Sequence, residues 1–357
     1  MASRFLVIAP NWLGDAVMAL PALAAVRRAR PEDTLVVAAR AAIAPLFQMV
    51  AGVDEVVTLP AVGGSRVGVP WGALRSWRAE AGRLQEANAA TALLLPNSFR
   101  SAWIVRRAGI PERWGVASDL RQRLLTRAVP RPKLPDRHHS EYYGAIVTAL
   151  GFPVGEDRPL VAAPEAAVMR AAALLARDGV EPGSLLVGLA PGAAYGRAKQ
   201  WPPRRYADLA CELHARAGVT SVVVGSGGDK SAGDEIMERC RSNKEGSPRV
   251  VNLVGQTDLA TLVAVMSRCR AFVSNDSGAM HLAAAAGLPV TAPFGPTRER
   301  ETAPLPVADS GVPAHAILTA PAWCRPCMLR ECPIDHRCMT RITVGAAVEA
   351  LSRQIGR

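Results

Sequence analysis

The chain reads as an α/β protein of two doubly wound domains, each a parallel sheet covered by helices, the two facing one another across a central cleft. Three observations predict this. Short β-branched runs alternate with longer Ala/Leu/Arg stretches of helical period, and the alternation occurs twice. With 357 residues, 49% of them hydrophobic, the chain exceeds the roughly 250–300 residues at which a single core stops growing. Between the two alternating blocks lies an Ala-rich helix flanked by Pro164 and Pro182, as expected of a connector. The resulting division is 1–163, a connector at 164–183, a second domain at 184–340 and a closing helix over 341–357.

In the first block, β-branched and apolar runs predict strands near 5–9, 35–38, 55–59 and 92–95, and stretches of helical period predict helices near 16–29, 42–50, 71–87 and 101–107. Residues 61–69 and 129–136, rich in Gly, Pro or Arg, are expected as mobile loops. The second block predicts strands near 185–189, 221–224, 250–253, 271–273 and 289–292, with helices near 205–217, 233–240, 259–267 and 279–286. The opening run at 5–9 is too short for the apolar region of an export signal and ends in Pro10-Asn11-Trp12, so a cytoplasmic location is expected. Nowhere do about 18 apolar residues follow one another without a charge or a helix breaker, which excludes a membrane-spanning helix and leaves only peripheral contact.

Candidate chemistry gathers where predicted strands end. After 271–273 comes Ser274-Asn275-Asp276-Ser277-Gly278, then an Ala-rich helix carrying His281. Asp276 or Ser277 suits the N-cap, and the helix N-terminus would offer backbone N–H groups and positive dipole to a phosphate. By itself such a turn is also an ordinary capped helix start, and a histidine in an apolar helix also suits the core. Pro10-Asn11-Trp12-Leu13-Gly14-Asp15 ends the first strand and sets a carboxylate at the cleft, where Asp15 equally suits an N-cap. Leu95-Pro96-Asn97-Ser98-Phe99-Arg100 ends another strand in polar residues. Pro191-Gly192-Ala193, continuing to Ala198-Lys199-Gln200-Trp201-Pro202, opens the second domain with a Gly-containing turn and the cations Arg197 and Lys199, a loop suited to a diphosphate. In open α/β sheets ligands bind at this carboxyl edge, so the coincidence outweighs any single motif.

Charge is lopsided. The 42 Lys+Arg against 31 Asp+Glu leave +11, which points to an acidic partner, and Arg100 to Arg137 alone holds ten basic and three acidic residues. A solvated arginine-rich surface would look the same. A nucleic-acid partner would call for aromatic stacking platforms, yet only 5% of the chain is aromatic and the basic stretch contains Trp103 and Trp114 as its only tryptophans. No nucleic acid is therefore expected.

In combination and in this order, Asn11-Trp12-Leu13-Gly14-Asp15, Leu95 to Arg100, Pro191-Gly192-Ala193 with Ala198 to Pro202, Gly225-Ser226, and Asn275-Asp276-Ser277-Gly278 with His281 resemble the bacterial lipopolysaccharide heptosyltransferases of glycosyltransferase family 9. The resemblance covers nearly the whole chain. It implies a GT-B fold of two Rossmann-like domains and inverting transfer of L-glycero-D-manno-heptose from ADP-heptose to the inner core of a lipopolysaccharide precursor. The acceptor it implies is heptosyl-Kdo2-lipid A, met at the cytoplasmic face of the inner membrane. No metal or other cofactor is implied. By residue, it makes Asp15 the base that deprotonates the acceptor hydroxyl and Lys199 a contact to phosphate. It puts the diphosphate on the backbone of Ser277 and Gly278 and gives Asp276 the heptose hydroxyls or the loop itself. Asn11, Gly14, Asn97, Ser98, Arg100, Gly192, Ala193, Gly225, Ser226, Asn275 and His281 complete the expected substrate-binding set. In one place the chain departs from its relatives. Where some carry a glutamate for the nucleotide ribose, Gly225-Ser226-Gly227-Gly228-Asp229 offers an aspartate further along the loop. The same fold could serve another nucleotide sugar or a sugar-nucleotide 2-epimerase.

Cys324, Cys327, Cys332 and Cys338, with His336 between the last two, have a spacing compatible with a tetrahedral zinc site, although a zinc ribbon would repeat the tight two-residue gap. No metal is assigned. Cys211, Cys240 and Cys269 stand singly in helical or strand patterns and read as core residues.

Overall fold

The structure is a computed structural model that describes residues 3–60, 70–156, 160–242, 248–306 and 314–356. The loop expected at 61–69 lies outside the described residues. The chain separates into two compact units, Met1–Pro159 and Leu160–Arg357.

The first unit holds β1 (Arg4–Ile8), α1 (Leu13–Met18), α2 (Leu20–Ala29), β2 (Thr34–Arg40), α3 (Ala44–Phe47), β3 (Glu55–Leu59), α4 (Pro70–Glu86), β4 (Thr91–Leu94), α5 (Phe99–Arg107), β5 (Glu112–Val116), β6 (Arg127–Val129) and α6 (His139–Ala149). Its six strands run parallel in the order β3-β2-β1-β4-β5-β6. Helices cover both faces of such a sheet, so its central strands are apolar between their ends: Leu6, Val36, Val37, Ala38, Ala92 and Leu94 are fully buried. The helix expected over 16–29 is broken at Ala19, because Pro21 near the start of α2 has no N–H to give to an unbroken helix. Glu112–Val116, Arg127–Val129 and His139–Ala149 were not anticipated. The first two are short strands on one flank of the sheet, β6 at its edge, whose arginines and tryptophan mask the strand pattern.

The second unit comprises α7 (Glu165–Arg177), β7 (Leu186–Ala190), α8 (Pro203–Ala217), β8 (Thr220–Val223), α9 (Lys230–Arg241), β9 (Val250–Asn252), α10 (Leu259–Arg268), β10 (Ala271–Ser274), α11 (Gly278–Ala285), β11 (Val290–Phe294), α12 (Glu299–Thr302), β12 (Ala316–Thr319), α13 (Arg337–Thr340) and α14 (Val344–Ile355). The order β12-β11-β10-β7-β8-β9, again all parallel, repeats the topology of the first unit. The helix expected as a connector, α7, packs on α10 within this unit, where Arg170 reaches Thr261 and Asp258. One core runs from Val187, Leu189 and Val273 through Leu209, Leu213 and Ile236 to Val348 and Leu351 of the closing helix. Trp201, wholly buried, joins its two ends: its ring lies 5.1 Å from that of Tyr206, and its indole N–H donates to Ile342 O at 3.1 Å.

In both sheets the chain leaves the first strand of the unit in one direction and returns on its other side with the fourth. Each therefore has a topological switch point, between β1 and β4 and between β7 and β10, and a crevice for a ligand at the carboxyl ends of those strands. The loops singled out in the sequence are the four that border these points.

Candidate functional site

On the first unit, the chain turns from β1 through Asn11 into α1. Trp12 is the N-cap and Asp15 the third helical residue, so the N-cap reading of Asp15 is corrected: its carboxylate does not serve as the cap. A carboxylate in the first turn is still favoured by the helix dipole. Its side chain is about a third exposed, and His139 Nδ1 from α6 stands 4.0 Å from its Oδ1. Tyr143, one turn further along α6, hydrogen-bonds Asp15, and burial first, then the Asp15 charge, push its phenol well above the ordinary tyrosine value. Tyr143 therefore stays protonated and can only donate to the carboxylate. Its neighbour Tyr142 accepts from the Asn97 amide.

Asn97 and Ser98 follow β4, and Ser98 caps α5 by accepting from the Ser101 N–H at 3.3 Å. Beneath this turn lies Arg121, fully buried, which donates to Val116 O at 2.8 Å and to Pro96 O. Burial pulls its guanidinium down to about 10, still charged at neutral pH. Arg100 does not project freely. It donates to Glu80, itself fully buried, and Arg40 pairs with the same carboxylate at 2.9 Å. Two cations on one anion leave a net positive charge beside Asn11, whose Oδ1 faces Arg40 Nε at 3.4 Å. Gly14 is the second residue of α1, between Asn11 and Asp15 in the chain. Sequence patterns do not single out Arg40, Glu80, His139 or the two tyrosines, and they place Arg121 only in the basic stretch. Arg40 ends β2 at the same sheet edge and was findable by the strand-end rule; the others are assembled by tertiary packing.

On the second unit, Ser277 is the N-cap of α11, as one of the two expected alternatives, and Gly278 opens its first turn. The N–H groups of that turn have no acceptor within the helix. Asp276, almost buried, pairs with Lys199 Nζ at 2.6 Å and accepts from Thr297 Oγ1 at 2.7 Å. Lys199 also stands 4.7 Å from the centre of the Tyr195 ring. Asn275 is fully buried, and its amide is spent on the protein: Oδ1 accepts from Trp201 N at 2.9 Å and Tyr206 Oη at 3.1 Å, while Nδ2 donates to Pro191 O at 2.7 Å. It clamps the loop after β7 to the one after β10 and so positions the turn. His281 is buried on α11, and Ala193 is buried in the loop it belongs to.

Ser226 and Asp229 form a capping box after β8, with Asp229 Oδ2 accepting from Ser226 N and Oγ, both at 2.8 Å. The Asp229 carboxylate presses against Gly192 so closely that a Cβ there would lie 2.3 Å from Oδ1. It is 3.0 Å from where a Cβ would stand at Gly225. Asp229 thus occupies the junction of the loops after β7 and β8. Thr297, after β11, went unnoticed although it too follows a strand.

The cysteines Cys324, Cys327 and Cys332 are half-buried free thiols, Cys338 is buried, and Cys332 Sγ accepts from His336 N at 3.3 Å. Among the described residues, no three or more His, Cys, Asp or Glu side chains are grouped to hold a metal ion. Cys240 is buried in the core as expected, and burial pushes its thiol up to about 12.

The first unit offers a carboxylate with hydrogen-bonded neighbours, and the second offers a helix N-terminus with an adjoining lysine. A family model described as glycosyltransferase family 9 (heptosyltransferase) matches residues 77–337. The chain is 32% identical over 311 residues to lipopolysaccharide heptosyltransferase 2 of Escherichia coli K12, and 33% identical over 311 residues to that of Salmonella typhimurium LT2, covering 85% of each chain in both cases. The structure of ADP-heptose lipopolysaccharide heptosyltransferase II from E. coli superposes with a TM-score of 0.79 at 28% identity, over 99% of this chain and 98% of that one. The chain has the GT-B architecture and belongs to glycosyltransferase family 9, the heptosyltransferase family.

Proposed function

We propose that the protein transfers L-glycero-D-manno-heptose from ADP-heptose, with inversion, to the inner core of a lipopolysaccharide precursor, adding the second heptose to heptosyl-Kdo2-lipid A. The observation that carries this reading is the α11 N-terminus with Lys199 and Asp276 at one switch point, in a chain whose relatives over 85% of its length are named heptosyltransferase 2. Displacing ADP from the anomeric carbon needs a group that takes the proton of the attacking hydroxyl and positive groups that absorb charge on the departing diphosphate. Asp15 takes the proton as the new C–O bond forms. The bond from C1 to the diphosphate breaks, and the electron pair leaves with ADP, whose charge is met by the first turn of α11 and by Lys199. Asp276, by pairing with Lys199, aims the ammonium, and Asp229 is the carboxylate available to ribose hydroxyls. The acceptor is lipid-linked, and among the described residues no helix is long and apolar enough to cross a membrane. Contact with the cytoplasmic face of the inner membrane is accordingly peripheral in this proposal.

The test is mass spectrometry of the protein incubated with ADP-heptose and lipopolysaccharide precursors truncated before and after the first heptose. A gain of one heptose on the singly heptosylated precursor alone is expected. Transfer only to the precursor without heptose would change the acceptor assignment, and no transfer to either would defeat the reading.

A further inference from the structure

Lys199 alone leaves the nucleotide site short of charge. Its ammonium is already neutralised by Asp276 at 2.6 Å, and the N-terminus of α11 supplies only about half a positive charge, whereas ADP leaves with about three negative ones. A second cation is close by. The segment 195–198 is fastened to the cysteine-bearing loop by four contacts: Tyr195 Oη donates to Met328 O at 2.9 Å, Ala198 N donates to Arg330 O at 3.0 Å, Arg197 pairs with Glu331 at 3.2 Å, and Gly196 approaches Arg330 so closely that a Cβ there would lie 2.2 Å from its carbonyl oxygen. Together these bring the Arg330 guanidinium to 5.1 Å from the centre of the Tyr195 ring, the same ring that Lys199 Nζ approaches to 4.7 Å. Arg197 and Arg325 on these segments are committed to Glu331 and Glu299. Arg330 is exposed and has no carboxylate within 4.0 Å among the described residues.

We infer that Arg330 is a second phosphate-binding cation of the nucleotide site, delivered by the cysteine-bearing loop and held beside Lys199 through the shared Tyr195 ring. Its ligand is the diphosphate of the nucleotide sugar, and of the nucleoside diphosphate that leaves; the inference rests on the function proposed above. A guanidinium suits this task because its fork can donate to two phosphate oxygens at once, and it stays charged while resting on an aromatic face. In this inference the loop is the frame that carries Arg330.

Calorimetric titration of the full-length protein and of Arg330→Gln and Arg330→Lys with ADP and with AMP tests this, together with turnover of ADP-heptose. Arg330→Gln is expected to weaken ADP about tenfold or more, the effect of one charge-assisted hydrogen bond, and AMP less than about twofold, with Arg330→Lys between wild type and Arg330→Gln. Wild-type ADP affinity in Arg330→Gln overturns the inference, as does equal weakening of ADP and AMP with a lowered Tm, which marks a merely structural contact. If the wild-type protein itself neither binds ADP nor consumes ADP-heptose, the proposed function fails and the inference with it. Normal turnover by both wild type and Arg330→Gln removes Arg330 alone.

Discussion

Asp15 stands third in α1 and does not cap it, so its carboxylate can change without loss of a capping bond. Asp15→Asn is therefore expected to stay folded, with Tm lowered only by the lost charge at the helix N-terminus and beside Tyr143, while turnover falls by roughly 10²-fold or more, the scale of general-base catalysis. Turnover near wild type in the folded variant would take the base role from Asp15. Lys199 behaves differently, because removing it strands a carboxylate that is only 5% exposed. Lys199→Ala should weaken ADP by about 1.5–3 kcal/mol in calorimetry, and should also cost about 3–5 kcal/mol of stability in urea titration. Adding Asp276→Asn should restore much of the stability but not the ADP affinity. If one change restored both, the lysine would matter only as a partner of Asp276. Cys240, buried with its thiol at about 12, should resist iodoacetamide at pH 8 while the half-buried Cys324, Cys327 and Cys332 are alkylated first, as peptide mapping would show.

The elements that frame the site are set by their ends. Asp258 caps α10 by accepting from Thr261 N at 2.7 Å, and that bond, from side chain and backbone of Thr261, holds its carboxyl below the usual range. A carboxylate depressed in the folded state stabilises above its unfolded value and loses that contribution as pH falls through the folded one. The cap is thus complete at pH 7 and fades below about pH 4. Asp258→Ala should cost about 1 kcal/mol at pH 7 in urea titration, and the difference from wild type should shrink in acid. A difference independent of pH would mean that the charged cap contributes nothing. In α11 the small side chains serve a similar local logic: Ala283 and Ala284 are buried, so the helix lies close on its sheet and its first turn is fixed at the carboxyl edge.

For the whole molecule, the excess of positive charge is less available than its count implies. Of the ten basic residues from Arg100 to Arg137, Arg100 is held by Glu80, Arg113 by the carbonyls of Ile110, Pro111 and Leu124, Arg121 by buried carbonyls, and Arg137 by Glu141, while Arg127 rests over Trp114. Arg106 and Arg107 on α5 are exposed, as are Arg123, Arg131 and Lys133, and near these last three in sequence Leu120 is 94% exposed. Arg123, Arg131 and Lys133, beside that exposed leucine, are the residues expected to attract an anionic, lipid-linked acceptor. Replacing all three with glutamine should raise acceptor KM and flatten its rise with salt, since exposed charges are screened beyond about 10 Å at 0.1 M, and should leave ADP affinity unchanged. An acceptor KM indifferent to both salt and the substitutions would make the stretch ordinary solvated surface.

By itself the sequence determined the α/β class, nine of the twelve strands among the described residues and the loops that border both switch points. These are legible because strand and helix periodicity are properties of neighbouring residues, and ligands in a parallel sheet gather where strands end. Tertiary structure decided which partner each side chain of those loops received. Lys199 and Asp276 are 77 positions apart, Arg121 is buried under a turn 25 positions away, and Asn275 spends its amide on residues 69 to 84 positions distant. Spacing along the chain carries no record of such pairings, because a charge or an amide is satisfied by whatever the folded backbone brings within about 3 Å. The short strands β5, β6 and β12, the last two at sheet edges, are not read from the sequence for a related reason: they are held by pairing with a formed sheet, and β5 and β6 themselves carry little strand pattern.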